Sequence, residues 1–182
     1  MNLAELERLN FTPPLDEEME VVPHGCKPIV DFPTNGVLTS FLSGNPDSLA
    51  VRVRYFLRET DGVLLARAWF GPEAKGPPAH AHGGSIASLL DEAMGCCAWN
   101  SGRPVLAAKL SVSFRRSLPL GRIYMAEAWI ERATGRKLTM MGKLQDAEGT
   151  LYAEGEGLFV ELNGEQRTQM MAYQKMMKKD GL

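Results

Sequence analysis

The sequence predicts an α+β fold in which a curved antiparallel sheet wraps one long helix. Three observations carry it. Residues 86–99 are the longest apolar stretch of the chain and open on a glycine pair, Gly83-Gly84. Two stretches of strand-like alternation precede that helix, and four follow it. The helix also carries small residues (Ala87, Ser88, Ala93, Gly95 and Ala98), which let a curved sheet or a second subunit approach closely.

Taken in order, residues 3–9 place Leu3, Leu6 and Leu9 among acids, the pattern of a short amphipathic helix. Residues 10–36 hold Pro13, Pro14, Pro23, Pro28 and Pro33 and are expected to be an extended connector. A second short helix is expected over 36–43, ended by Gly44-Asn45-Pro46. Residues 49–58 then alternate: Val51, Val53, Tyr55 and Leu57 on one face, Arg52, Arg54 and Arg58 on the other, with Phe56 the exception. Thr60-Asp61-Gly62 turns the chain into a second strand over 63–70. Residues 71–81, with Pro72, Pro77 and Pro78, form a loop. The long helix is expected over 83–100, stopped by Gly102-Arg103-Pro104.

Four more strands follow. Over 105–117, Leu106, Ala108, Leu110, Val112 and Phe114 share one face, and Ala107, Lys109, Ser111, Ser113 and Arg115 the other. Strands over 123–133 and 137–146 flank a turn at Thr134-Gly135, and a turn at 146–149 leads into 151–162. Residues 165–179 are expected to be a surface helix with Met170, Tyr173 and Met177 on one side, suited to packing or a subunit contact. The expected organisation is an N-terminal extension over 1–48, a central domain over 49–163 and a helical tail over 164–182.

At 182 residues the chain suffices for one sizeable core. A net charge of −2 supplies no bulk basic field for nucleic acid or an anionic membrane. No apolar run reaches the roughly 18–20 residues of a membrane-spanning helix, and residues 1–10 lack a signal-peptide apolar core. Three cysteines, two of them adjacent, form no Cys-x-x-Cys pair. They are expected to be reduced, small core residues in a cytoplasmic protein.

The chemistry concentrates at the helix. Asp91 lies inside the apolar stretch, with no Lys or Arg near it in sequence. Burying an unpaired carboxylate is costly, so such a residue points either to function or to pairing with a distant cation or a cap. At helical spacing it shares a face with Ala87, Ser88, Met94 and Gly95, three of them small. Glu92 points about 100° away and is expected to face solvent or an interface. Gly83 and Gly84 at the helix start offer backbone N–H groups to a developing oxyanion, aided by the helix dipole; a plain turn is the simpler reading. His82 could orient that loop, touch substrate or be a satisfied structural histidine. His80-Ala81-His82 also invites a metal, with Asp91 or Cys96 as further ligands, but no spacing completes a standard zinc pattern, and none is expected. Ser113, Arg115 and Arg116 at one strand end, and Gly135, Arg136 and Lys137 at a hairpin, are cations and tight backbone positions suited to a phosphate-bearing ligand.

The run His82-Gly83-Gly84, with Asp91 and Gly95 at their spacing, resembles the hot-dog-fold acyl-coenzyme A thioesterases of the phenylacetate-degradation type. The resemblance is closer to thioesterase superfamily members four and five. It includes Gly76-Pro77-Pro78, Leu110-Ser111-Val112-Ser113-Phe114-Arg115-Arg116, Gly135-Arg136-Lys137, Leu151-Tyr152-Ala153-Glu154 and Leu158-Phe159-Val160-Glu161-Leu162-Asn163, and covers about residues 50–163. It implies a hot-dog fold, with units paired into a dimer or a tetramer and active sites at the interface. It implies hydrolysis of a fatty or aryl acyl-CoA, with Asp91 as general base or nucleophile and the Gly83 amide polarising the thioester carbonyl. Ser113, Arg115, Gly135, Arg136 and Lys137 would hold the coenzyme A part. No cofactor is implied, because coenzyme A belongs to the substrate. Two positions depart from the pattern: Ala107 stands where relatives often have Ser or Thr, and Gly76 where they often have Asn or Gln. A non-catalytic acyl-CoA binding or sensing protein is the alternative those departures raise.

Overall fold

The computed structural model describes residues 11–29, 41–43, 45 and 47–179, with the side chains of 173–175 and 177–179 outside the description. The helix expected over 3–9 lies outside these residues, as does most of that expected over 36–43; residues 41–43 are a turn.

In chain order the elements are α1 (Asp16–Glu20), β1 (Cys26–Ile29), β2 (Val51–Arg58), β3 (Leu64–Phe70), the central helix α2 (Gly83–Asn100), β4 (Val105–Phe114), β5 (Ile123–Thr134), β6 (Lys137–Gln145), β7 (Leu151–Glu161) and α3 (Gly164–Lys179). A 3-10 turn, Pro72–Ala74, interrupts the loop before α2. The strands form one seven-stranded antiparallel sheet in the order β1-β2-β3-β5-β6-β7-β4, and α2 packs against β2 to β7. This is the expected α+β hot-dog architecture. None of the described helices is long and apolar enough to cross a membrane.

Period-two alternation builds the inner face. Val51, Val53 and Tyr55 of β2, Leu64, Ala66, Ala68 and Phe70 of β3, Tyr124, Ala126 and Ala128 of β5, and Leu138, Met140 and Leu144 of β6 are buried in one core with α2. Beneath the middle of α2 the sheet carries glycines. Gly142 and Gly155 are register partners. A Cβ on Gly142 would lie 3.3 Å from Leu90 Cδ2, and one on Gly155 3.2 Å from Met94 Cε. Leu90 and Met94, both fully buried, therefore seat on bare backbone.

The extended connector expected over 10–36 is corrected at two places. Asp16, Glu17 and Glu18 form the acidic first turn of α1, favoured by the helix dipole. β1 then adds to the sheet beside β2, and Pro28 is tolerated because β1 is an edge. Arg67 of β3 donates to the Met19 carbonyl (3.1 Å) and to that of Val21, satisfying the end of α1. Arg54 pairs with Asp16 (3.5 Å) and Glu20 (3.7 Å). This cover explains why Phe56, the exception in the β2 alternation, is buried, as are Leu65 and Trp69 on the same outer face.

A second correction concerns β4. The register shifts between Ala107 and Lys109, the mark of a bulge. Ala107 opposes buried Phe159, whereas Leu110, Val112 and Phe114 oppose Gly157, Gly155 and Ala153. Val105 and Ala107 thus join Leu110, Val112 and Phe114 on the helix side. Leu106, expected there, is turned outward and is 59% exposed. Cys96 and Cys97 are buried free thiols; Cys26, in β1, is free and only half-buried rather than a core residue.

Candidate active site

The site begins at the start of α2. His82 is the N-cap, in extended geometry, and its Nδ1 accepts from the Gly84 N–H at 2.9 Å. Its own N–H donates to Ala74 O (2.7 Å), which ties the helix start to the 3-10 turn. Gly84 is thereby spent on the cap. The Gly83 N–H, first in the helix, has no acceptor among the described residues. Of the two expected oxyanion donors, only Gly83 is available. The ring of Phe114, at the end of β4, lies against it: a Cβ on Gly83 would be 3.1 Å from Phe114 Cζ.

Gly76 acquires a steric reason. A Cβ there would sit 2.8 Å from His82 Cα, so the backbone of the loop rides directly on the cap residue. An Asn or Gln would not fit at 76 without moving that loop.

Asp91 lies on the stripe of α2 that the sheet leaves half-open, with Ala87, Ser88 and Gly95. No hydrogen bond or ion pair to its carboxylate occurs among the described residues. Burial first, and the adjacent Glu92 carboxylate second, push its carboxyl above the ordinary carboxylate range. A Cβ on Gly95, one turn on, would be 3.8 Å from Phe159 Cε1, and Phe159 is the register partner of Ala107. Ala107 therefore belongs to the wall beside the Asp91 face and brings no hydroxyl to it.

Glu92, expected to face solvent or an interface, is half-buried and engaged within the chain. Its Oε1 accepts from the hydroxyls of Tyr55 (2.8 Å) and Ser43 (3.2 Å). Burial first, with the nearby Glu92 charge, raises the Tyr55 phenol well above its usual value, so it stays a donor. Sequence reasoning missed both Phe114 and this trio. The Phe114 signal was its place at the end of the β4 alternation. Tyr55 and Glu92 are 37 positions apart and gave none.

The expected phosphate-binding residues fall into two groups that one protomer does not bring together. Ser113 and Arg115 lie at the far end of β4, where Phe114 opposes Ala153. Gly135, Arg136 and Lys137 lie at the β5–β6 turn, where Lys137 opposes Val160. Val160 opposes Leu106, at the start of β4, so roughly 20–25 Å of strand separates the groups. Gly135 adopts φ +56°, which explains the glycine in that turn. Its carbonyl accepts from Arg103 (2.6 Å), and Arg136 donates to the Glu161 carbonyl (2.9 and 2.6 Å). Arg115 pairs with Glu154 at 2.7 Å across an exposed surface, a weak pair that a phosphate could displace. Lys137 is exposed. Among the described residues no group of three or more His, Cys, Asp or Glu is placed to hold a metal ion, and His80 Nδ1 is bonded to Pro78 O (2.8 Å).

Comparison with known proteins follows the same lines. The family model described as Thioesterase superfamily matches residues 79–153. The acyl-coenzyme A thioesterase THEM4 of Xenopus laevis is 31% identical over 148 residues, 72% of this chain and 67% of that protein. THEM4 of Bos taurus is 31% identical over 126 residues, 69% of this chain and 52% of that protein. The chain spans about half the length of most of the curated relatives it matches. Among solved structures, a thioesterase superfamily protein aligns with TM-score 0.64 at 28% identity, covering 80% of this chain and 71% of that one. A protein from Bacillus halodurans crystallised with CoA aligns with TM-score 0.50 at 28% identity, covering 54% and 66%.

Proposed function

We propose that this chain, which belongs to the thioesterase superfamily, is an acyl-CoA thioesterase that hydrolyses a fatty or aryl acyl-CoA to the free acid and CoA. The observation that carries the proposal is Asp91: a half-buried carboxylate on the open stripe of the central helix, held above its ordinary pKa range, with no hydrogen-bond partner among the described residues. The curated relatives bear the name acyl-coenzyme A thioesterase, and the Bacillus halodurans neighbour was crystallised with CoA.

In this reading a water gives its proton to Asp91 as its oxygen attacks the thioester carbon. Negative charge gathers on the carbonyl oxygen, which faces the Gly83 N–H at the positive end of the helix. Collapse breaks the C–S bond, and the departing sulfur takes the proton back from Asp91. A thioester is already activated, so one base and one donor suffice, and no resident cofactor is required.

Gly83 and Asp91 of one protomer do not reach the same carbonyl. Eight residues of helix separate them by about 12 Å along the axis. The reading therefore pairs Gly83 of one copy with Asp91 of a second. The free edge of β4 suits such pairing: it is ten residues long, with Leu106 59% and Phe114 54% exposed. Antiparallel pairing of two β4 strands would continue the sheet across a homodimer. It would also bring the Ser113–Arg115 end of one copy toward the Gly135–Lys137 turn of the other, assembling the CoA-binding set that one chain keeps apart.

The second reading is an acyl-CoA binding protein without turnover, favoured by Ala107 and Gly76. A panel of acyl-CoA substrates with wild type and Asp91→Asn decides. Turnover in wild type that falls with Asp91→Asn supports the hydrolase; binding without turnover on every acyl-CoA supports the binder.

A further inference from the structure

A cleft of about 370 Å³ opens beside the start of α2, between the helix face of Ser85 and Ser88 and the chain that precedes β2. Its apolar wall is Phe41, Leu42, Ala50, Val51 and Ala74. Glu73 and Lys75 add charge to the lining, and the cleft reaches His82 and Gly84, the residues flanking Gly83. The serines that line it are engaged elsewhere. Ser85 Oγ donates to His82 O (2.7 Å), Ser88 Oγ donates to Gly84 O (2.9 Å), and Ser48 Oγ accepts from the Ala50 and Val51 amides. With these serines engaged within the chain and five apolar side chains in the wall, the lining away from Glu73 and Lys75 is better matched to hydrocarbon than to a polar ligand.

One wall of the cleft is the short segment 41–43, and Ser43 ties it to α2. Ser43 donates to the Glu92 Oε1 that also receives the Tyr55 hydroxyl. Tyr55 is 4% exposed and rooted in β2, so Glu92 is held from the core side and in turn holds the segment. Leu42, beside Ser43, is 7% exposed, whereas Phe41 is 88% exposed at the mouth.

We propose that Glu92 is a positioning residue: it straps residues 41–43 over the cleft, and the strapped cleft takes the acyl chain and limits its length. The substrate class is an aliphatic acyl-CoA of short to medium chain, because about 370 Å³ lies near the lower end of the ~300–1,000 Å³ usual for small-molecule sites. This inference rests on the hydrolase reading for its substrate and extends it to a residue outside the chemistry.

The test is the ratio of kcat/KM for octanoyl-CoA to that for palmitoyl-CoA. Wild type is expected to favour octanoyl-CoA. Glu92→Ala, and Ser43→Ala as the milder variant should Glu92→Ala fail to fold, are expected to shrink the ratio by about three- to tenfold, the worth of one hydrogen bond. Glu92→Gln, whose amide oxygen accepts the same bonds, is expected to keep it. Equal loss on both substrates, an unchanged ratio, or a wild type that favours palmitoyl-CoA overturns the proposal. If wild type hydrolyses neither thioester, the hydrolase reading falls by itself, and the ratio is taken from the dissociation constants of the same two thioesters. A ratio that shrinks in Glu92→Ala or Ser43→Ala then supports the strap, and an unchanged one overturns it.

Discussion

Gly83 and Asp91 lie on one helix two turns apart, so the amide and the carboxylate of a single chain face different places about 12 Å apart along the axis. The proposed reading shares the site between two copies, and complementation checks it. Gly83→Pro removes the N–H while suiting the first helical position, and His82 already has the extended backbone that precedes proline. Gly83→Pro and Asp91→Asn homodimers are each expected to be nearly inactive. Refolded together at equal amounts, half of the dimers are mixed and carry one intact site of two, giving about a quarter of wild-type activity. No recovery would mean that both groups act within one chain. Gly83→Ala, which keeps the N–H, separates the steric effect of a Cβ against Phe114 from loss of the donor.

Asp91→Asn is expected to lower kcat/KM by about 10²–10⁴, the usual contribution of a general base, while raising stability at neutral pH. A carboxyl whose pKa in the fold exceeds its unfolded value of about 3.9 favours the fold most when protonated. That contribution is full below the unfolded pKa and is lost as pH rises through the folded one, so at pH 7 the ionised Asp91 opposes folding. Melting temperatures at pH 7 and pH 3 check this: the variant melts higher at pH 7, and the gain disappears at pH 3.

The acid limb of the pH–rate profile is expected above the ordinary carboxylate range, because Asp91 must be ionised to act as a base. Glu92 is the second cause of that upward shift, so Glu92→Gln moves the limb to lower pH. A limb that stays put in Glu92→Gln argues that burial alone sets it.

His82→Ala is expected to destabilise by about 0.5–2 kcal/mol through loss of the N-cap bond to Gly84, with His82→Asn restoring most of it. Urea unfolding of the three proteins measures the difference. An equal loss in both variants would assign the effect to the imidazole's packing instead.

Gly71→Ala is expected to be among the most damaging small substitutions in the chain. Its Cβ would sit 2.2 Å from Leu49 O and 2.4 Å from the Trp69 ring, and the backbone oxygen cannot swing away. A loss at or above the ~1–3 kcal/mol usual for overpacking is expected in urea unfolding. Gly149→Ala, which meets no atom within 4 Å but has φ +81°, should lose less, through backbone strain alone.

Much of the fold was legible because its signals are local. The expected helix over 83–100 coincides with α2, since the glycine start, the apolar stretch and Gly102-Arg103-Pro104 all lie within one segment. The six strands after residue 48 were each found within a few residues. What failed was non-local. α1 and β1 are received by Arg67, Arg54 and β2, all distant in sequence. The β4 bulge turns Leu106 outward against its own alternation because the pairing with β7 sets the phase.

The sequence alone determined the central helix and the six strands after residue 48, the inner face of β2, and a carboxylate set in an apolar helix behind a glycine start, because helical and strand periods are written in neighbouring residues. Tertiary structure decided that Gly84 is spent on His82 while Gly83 stays available, that Glu92 is drawn to Tyr55 and Ser43, and that Arg115 and Arg136 lie at separate ends of the sheet. Those outcomes depend on which groups distant in the chain meet at hydrogen-bonding distance, and only the packed sheet and helix bring them there.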